Sequence, residues 1–160
     1  MKLHVLAYTF FIGLLLTSSA CKKSPSGAGG EPTPVSPVPT TDVGLLTVSP
    51  AFPVDNAPVT LTFDATKGNA ALNGFAGDVY MHIGVLTDQS TGPTNWKYVK
   101  VNSFTTPDAS VKMNAIGGGK YQFTLTPRTF FGVPAGEKIL QIAVLFRSAD
   151  GAVVARNADG

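Results

Sequence analysis

The chain has 160 residues, with 12 Lys+Arg against 10 Asp+Glu, a formal net charge of +2 and one cysteine. Charged residues make up 14%, against roughly 25% in an average globular protein, which excludes a charge-driven nucleic-acid binder. One cysteine excludes an internal disulfide framework, and the length allows one ordinary domain.

Residues 1–20 read as an export signal. Lys2 and His4 supply a cationic start, Val5 to Leu16 is an almost unbroken apolar run, and Thr17-Ser18-Ser19-Ala20 offers small residues for cleavage. That run is too short to span roughly 30 Å of hydrocarbon as a helix. Cys21 follows Ala20 directly. This junction resembles the lipobox of bacterial lipoproteins, whose Cys is acylated and becomes the new N-terminus, although Ser18 stands where that box usually has Leu. Ordinary cleavage leaving a free thiol is the alternative. Acyl chains, at about 0.8 kcal/mol per buried methylene, would hold the protein to a membrane without spanning it.

Residues 21–42 form the expected linker. Ser24-Pro25-Ser26-Gly27-Ala28-Gly29-Gly30 is followed by Pro32, Pro34, Pro37 and Pro39. Almost nothing there can fill a core, so ordering it would not offset its entropy. A flexible Gly-rich half and a stiffer Pro-rich half together read as a stalk.

Residues 43–160 are expected to fold as an all-β, antiparallel, immunoglobulin-like β-sandwich of about seven or eight strands. No amphipathic helical period is visible, and alternation with β-branched residues dominates. Leu45 to Val48 is the first strand. Val59, Leu61 and Phe63 alternate with Thr60 and Thr62 in the second. Asp78 to Thr87 places Val79, Met81, Ile83 and Val85 on one face, and Tyr80, His82 and Leu86 on the other. Trp96 to Val101 alternates again, Val111 and Met113 mark a weak strand, and Tyr121, Phe123 and Leu125 follow. Thr129 to Val133 suits one helical turn. Ile139 to Phe146, apolar on both faces except at Gln141, suits a central strand, and Ala152 to Ala155 closes the series. The chain then ends on a turn-like Arg156-Asn157-Ala158-Asp159-Gly160, and a truncation at this end is expected.

No catalytic residue is read from the sequence. The exported part has one histidine, His82, with neither a Gly-x-Ser-x-Gly nor a His-Glu-x-x-His pattern. No cofactor or metal is expected: a lone His and an acylated Cys make no zinc site. Asp150, Asn157 and Asp159 have oxygen ligands suited to calcium, but ordinary turn chemistry accounts for them. The better lead is binding. If Asp78–Thr87 and Asn95–Val101 are hairpin neighbours, Tyr80, His82, Trp96 and Tyr98 share one sheet face, with Lys100 beside them. Aromatic rings with polar tips on an exposed sheet suit sugar stacking; the alternative is that Trp96 and Tyr80 fill the core. Phe130-Phe131 reads as a core cap or a contact patch.

Several blocks carry a resemblance together: Ala51-Phe52-Pro53 through Thr66-Lys67-Gly68-Asn69, Asp78 to Thr87, Trp96-Lys97-Tyr98-Val99, Phe130 to Gly136, and Ala143 to Gly151. They resemble a β-sandwich domain of Bacteroidetes surface lipoproteins of glycan utilisation, often placed N-terminal to an α-amylase-type glycoside hydrolase. The resemblance implies a non-catalytic accessory module at the outer membrane, with polysaccharide, a glycoside hydrolase domain or a glycan-uptake complex as partners. It also implies one further strand after Asp150-Gly151. A spacer or docking domain that positions a catalytic domain or a partner is the second reading.

Overall fold

The computed structural model describes residues 41–42 and 44–157. The expected signal at 1–20, Cys21 and most of the linker lie outside the described residues, as does Asp159.

The strands are β1 (Thr41–Asp42), β2 (Leu46–Ser49), β3 (Val59–Asp64), β4 (Tyr80–Thr87), β5 (Asn114–Gly117), β6 (Lys120–Leu125), β7 (Ile139–Arg147) and β8 (Val154–Ala155). A 3₁₀ turn at Ala109–Val111 and one helical turn, α1 at Pro127–Phe131, interrupt them. All pairings are antiparallel. One sheet runs β2-β3-β6-β5, extended at the β2 edge by β1, and the other runs β4-β7-β8. That neighbour order is the A-B-E-D and C-F-G arrangement of a constant-type immunoglobulin sandwich. Because β1 pairs Thr41 with Val48 and Asp42 with Thr47, the ordered sheet begins two residues before the boundary expected at residue 43.

Alternation explains the core. Val59, Leu61 and Phe63 of β3 are buried while Thr60, Thr62 and Asp64 between them are partly exposed. On the exposed side the hydroxyls of Thr60 and Thr124 hydrogen-bond at 2.9 Å, and Gln122 Nε2 donates to Thr62 Oγ1 at 3.2 Å. Met81, Ile83 and Val85 of β4 face them from the second sheet, joined by Val79, Val111, Met113 and Phe146. The Phe63 and Phe146 rings stack between the sheets, with centroids 4.0 Å apart and planes inclined by 12°. α1 starts on Pro127, whose fixed φ and missing N–H suit a first helical turn, and ends on Gly132 in the left-handed conformation.

Two expected strands are absent. Val111 is the last residue of the 3₁₀ turn and Met113 follows it; the turn is capped by Asp108, whose side chain accepts from Ser110 N at 2.8 Å. Trp96–Val101 is an irregular segment that pairs with β4 by one bridge, Val85 to Lys97, and one further backbone bond.

Asp64, at the end of β3, accepts from Lys120 Nζ at 2.7 Å and from the Thr66 hydroxyl at 2.6 Å. These bonds lower its pKa to about 2. A lowered carboxylate pKa favours the fold fully above the unfolded value near 3.8 and loses that contribution as pH falls toward 2. Urea midpoints measured from pH 5 to pH 2 should therefore fall in acid, and Asp64→Asn should flatten that limb. An unchanged acid slope in Asp64→Asn would refute the assignment.

Candidate functional site

The outer face of the β4-β7-β8 sheet is built on β4, where Tyr80, His82 and Gly84 point away from the core. A long connection, residues 88–108, runs back over this face as a strap. Its backbone joins the free edge of β4: Val85 N donates to Lys97 O at 3.0 Å, Lys97 N to Val85 O at 2.7 Å, and Lys100 N to Ile83 O at 3.1 Å. Regular antiparallel pairing would set residue 99 opposite Ile83, so the strap carries one extra residue here, a bulge. Tyr98 sits in it with φ +51°, a left-handed conformation uncommon outside glycine.

The bulge decides where the expected aromatic platform goes. Trp96 stays on the outer face, its ring stacked on His82 with centroids 5.8 Å apart and its Nε1 donating to Pro93 O at 3.2 Å. Tyr98 turns against the core, and its hydroxyl donates to Glu137 Oε2 at 2.5 Å. Lys100 lies over the Phe130 ring, 5.0 Å from its centroid. The structure thus unites Tyr80, His82 and Trp96 and sends Tyr98 and Lys100 elsewhere, so the five residues do not form one flat face. Tyr80 is itself only 8% exposed.

Two residues that sequence reasoning did not single out complete the cluster. Arg147, directly across the ladder from Tyr80, is fully buried. Its guanidinium lies 5.7 Å from the Tyr80 ring centroid and 5.4 Å from that of Phe104 in the strap. Nη1 donates to Ser148 O and Ala149 O, and Nη2 to Thr106 O, all at 2.9 Å. Arg147 thus ties the strap to the β7–β8 turn. Phe104 also meets His82 edge-on at 5.2 Å.

Glycines let the strap come this close. A Cβ on Gly84 would lie 3.0 Å from Lys97 O, and one on Gly151 would lie 2.7 Å from Phe104 O. Alternation could have flagged Arg147, since it falls on the outer parity of β7 with Leu145 and Ala143. Its burial, however, depends on a strap that pattern reading does not place.

His82 Nδ1 is buried without a hydrogen-bond partner, as is Arg147 Nε. Burial, and then the charge of Arg147, lower the His82 pKa below its ordinary value, so its neutral form is favoured. Asp150, one of the three residues with calcium-like oxygens, instead closes the β7–β8 turn. Its Oδ1 accepts from Ser148 Oγ at 2.6 Å and Ala152 N at 3.1 Å. Among the described residues no group of three or more His, Cys, Asp or Glu is placed to hold a metal ion.

A different surface is open. Val85 spends both backbone groups on Lys97, so its ladder partner Ile142 turns its own N–H and C=O to the far edge of β7. Val144, opposite Ile83, does the same. Because β8 covers only Phe146 and Arg147, this edge has no strand beside it among the described residues. It borders a groove of about 400 Å³ lined by Leu45, Leu46, Ile142, Val144 and Asn157. Leu140, at a bulge in β7, is 66% exposed, and Phe52 and Val54 in the loop after β2 are 87% and 56% exposed. Val54 and Leu140 line one shallow pocket.

Strand order, register and core make this a constant-type immunoglobulin-like β-sandwich domain. The chain belongs to the family DUF8578, a domain of unknown function, which it matches over residues 46–155. Those limits are the first residue of β2 and the last of β8, so the family unit is the seven-strand sandwich without β1. No curated protein matches the chain.

Proposed function

We propose that the domain is a non-catalytic docking module, carried on a lipid-anchored stalk at the bacterial outer membrane, that positions a partner in glycan capture or degradation. The observation that carries the docking role is the open edge of β7. It pairs unmet backbone groups at Ile142 and Val144 with an apolar margin of Leu140 and Val54. Natural proteins usually cover or charge such an edge, and strand addition is a common way for one to recruit a partner. The aromatic residues that would favour direct sugar stacking are, by contrast, already engaged: Tyr80 is buried, Trp96 stacks on His82, and Tyr98 packs on the core. Membrane attachment and the glycan setting rest on Cys21 and on the family resemblance given above.

Hydrogen exchange of the peptide spanning residues 139–145 tests the docking role, comparing the full chain in native membranes with the Cys21→Ala form. The anchored chain should exchange slowly there, and the released form fast. Equally fast exchange in both would remove the docking reading, and Cys21→Ala remaining in the membrane fraction would remove the anchor.

A further inference from the structure

We propose that the strap, residues 88–108, is an acid-released cover: protonation of His82, held between Trp96 and Phe104 beside buried Arg147, frees the strap from the edge of β4. The released strap would bare the outer face of Tyr80 and His82, together with the backbone edge of Ile83 and Val85. This goes beyond docking at β7, because it concerns the opposite edge of the same sheet.

The geometry supplies each part of the device. The His82 imidazole contacts the strap through two rings, stacked on Trp96 and edge-on to Phe104. Its Nδ1 is buried with no acceptor to receive a second proton. The groups facing it have been chosen by the fold to be apolar or cationic. On its own strand Tyr80 and Gly84 flank it; β7 contributes Leu145 and Arg147; the strap contributes Trp96 and Phe104. Among the described residues, the acid whose charge acts on Arg147 is Asp150, and its carboxylate is engaged by Ser148 and Ala152. An imidazolium here would be a second cation beside Arg147 with no carboxylate to receive it.

Three backbone bonds join the strap to β4, Thr106 O accepts from Arg147, the Tyr98 hydroxyl donates to Glu137, and Asp88 exchanges two bonds with Lys138. Met81, Ile83 and Val85 pack against the other sheet, and the strap adds Val101 and Tyr98 to the same core, so its release also exposes those two side chains. Local opening of such a segment is possible without global unfolding. Burial and Arg147 lower the His82 pKa. A depressed histidine value leaves the closed form fully favoured above the unfolded pKa near 6.5 and weakens it as pH falls below that.

Trp96 is the chain's only tryptophan, so its fluorescence reads the strap and nothing else. The test is acrylamide quenching of Trp96 in the full chain from pH 8 to pH 4.5, with far-UV circular dichroism recorded on the same samples. Quenching should rise below pH 6.5 while the dichroism stays native, with up to about a tenfold rise in opening per pH unit. His82→Phe keeps a ring between Trp96 and Phe104 but cannot take a proton, and its quenching should stay flat. A second variant, His82→Gln, guards against a misfit of the larger ring and should be equally flat. Flat quenching in the unsubstituted chain, an identical rise in both variants, or simultaneous loss of the dichroism signal would each overturn the proposal.

Discussion

Arg147→Ala is expected to lower the stability of the domain by about 3 to 5 kcal/mol. Among the described residues the guanidinium has no carboxylate partner; it is held by three carbonyl oxygens, from Thr106, Ser148 and Ala149. Removing it strands those acceptors, at about 1 to 3 kcal/mol for each that stays buried without water. It also empties the space between Tyr80 and Phe104, whose rings both face it. Arg147→Met separates the two causes, because it fills the volume without a charge to desolvate. Methionine should recover part of the loss in urea denaturation followed by far-UV dichroism. In the alanine variant, Trp96 emission should change at lower urea than the dichroism does. A stability within about 1 kcal/mol of the parent would show that Arg147 is not the tie.

Phe146→Ala should cost about 3 to 5 kcal/mol through a different route. Phe146 on β7 and Phe63 on β3 are each 1% exposed or less and stack face to face across the sandwich. They join the two strands that a disulfide links in antibody domains, here with rings in place of sulfur. Deleting one ring leaves a cavity bounded by two sheets that cannot close independently, which puts the loss at the upper end for an aromatic truncation. A double-mutant cycle with Phe63→Ala should show a coupling of about 0.5 to 1.5 kcal/mol. A coupling near zero would mean that the two rings merely fill volume.

Much of the sandwich is legible in the sequence because burial enforces a period of two. Val59-Thr60-Leu61-Thr62-Phe63 and Val79 to Val85 announce their inner faces, and both are buried as the pattern requires. The helical turn near Thr129 and the central position of β7 are legible for similar reasons. Trp96 to Val101 alternates just as well, yet it is no strand. A single left-handed residue, Tyr98, shifts everything after it by one position, and nothing in the residue type announces that. Consequently Tyr98 and Lys100 leave the expected platform while Trp96 stays. Val111 and Met113 also keep a period of two, but Asp108 two residues before Ser110 is a capping signal that could have been weighed against it. Arg147 was hidden for another reason. Its neighbours Tyr80, Phe104 and Thr106 lie far away in the chain, so its burial follows from pairing rather than from any local pattern.

The shortness of the two outermost strands has a mechanical meaning. β1 and β8 each contribute two residues, and they lie in different sheets. β8 is steadied by Asn69, whose Nδ2 donates to Val154 O and whose Oδ1 accepts from Arg156 N, while its own N–H donates to Arg156 O. Tension drawn through the chain would therefore meet only short ladders at first, and these would unzip bond by bond rather than resist in shear. The six- to nine-residue strands β3, β4, β6 and β7 would bear load only afterwards. On the stalk proposed above, the domain would then yield a little length at low force, while its aromatic core stays shut.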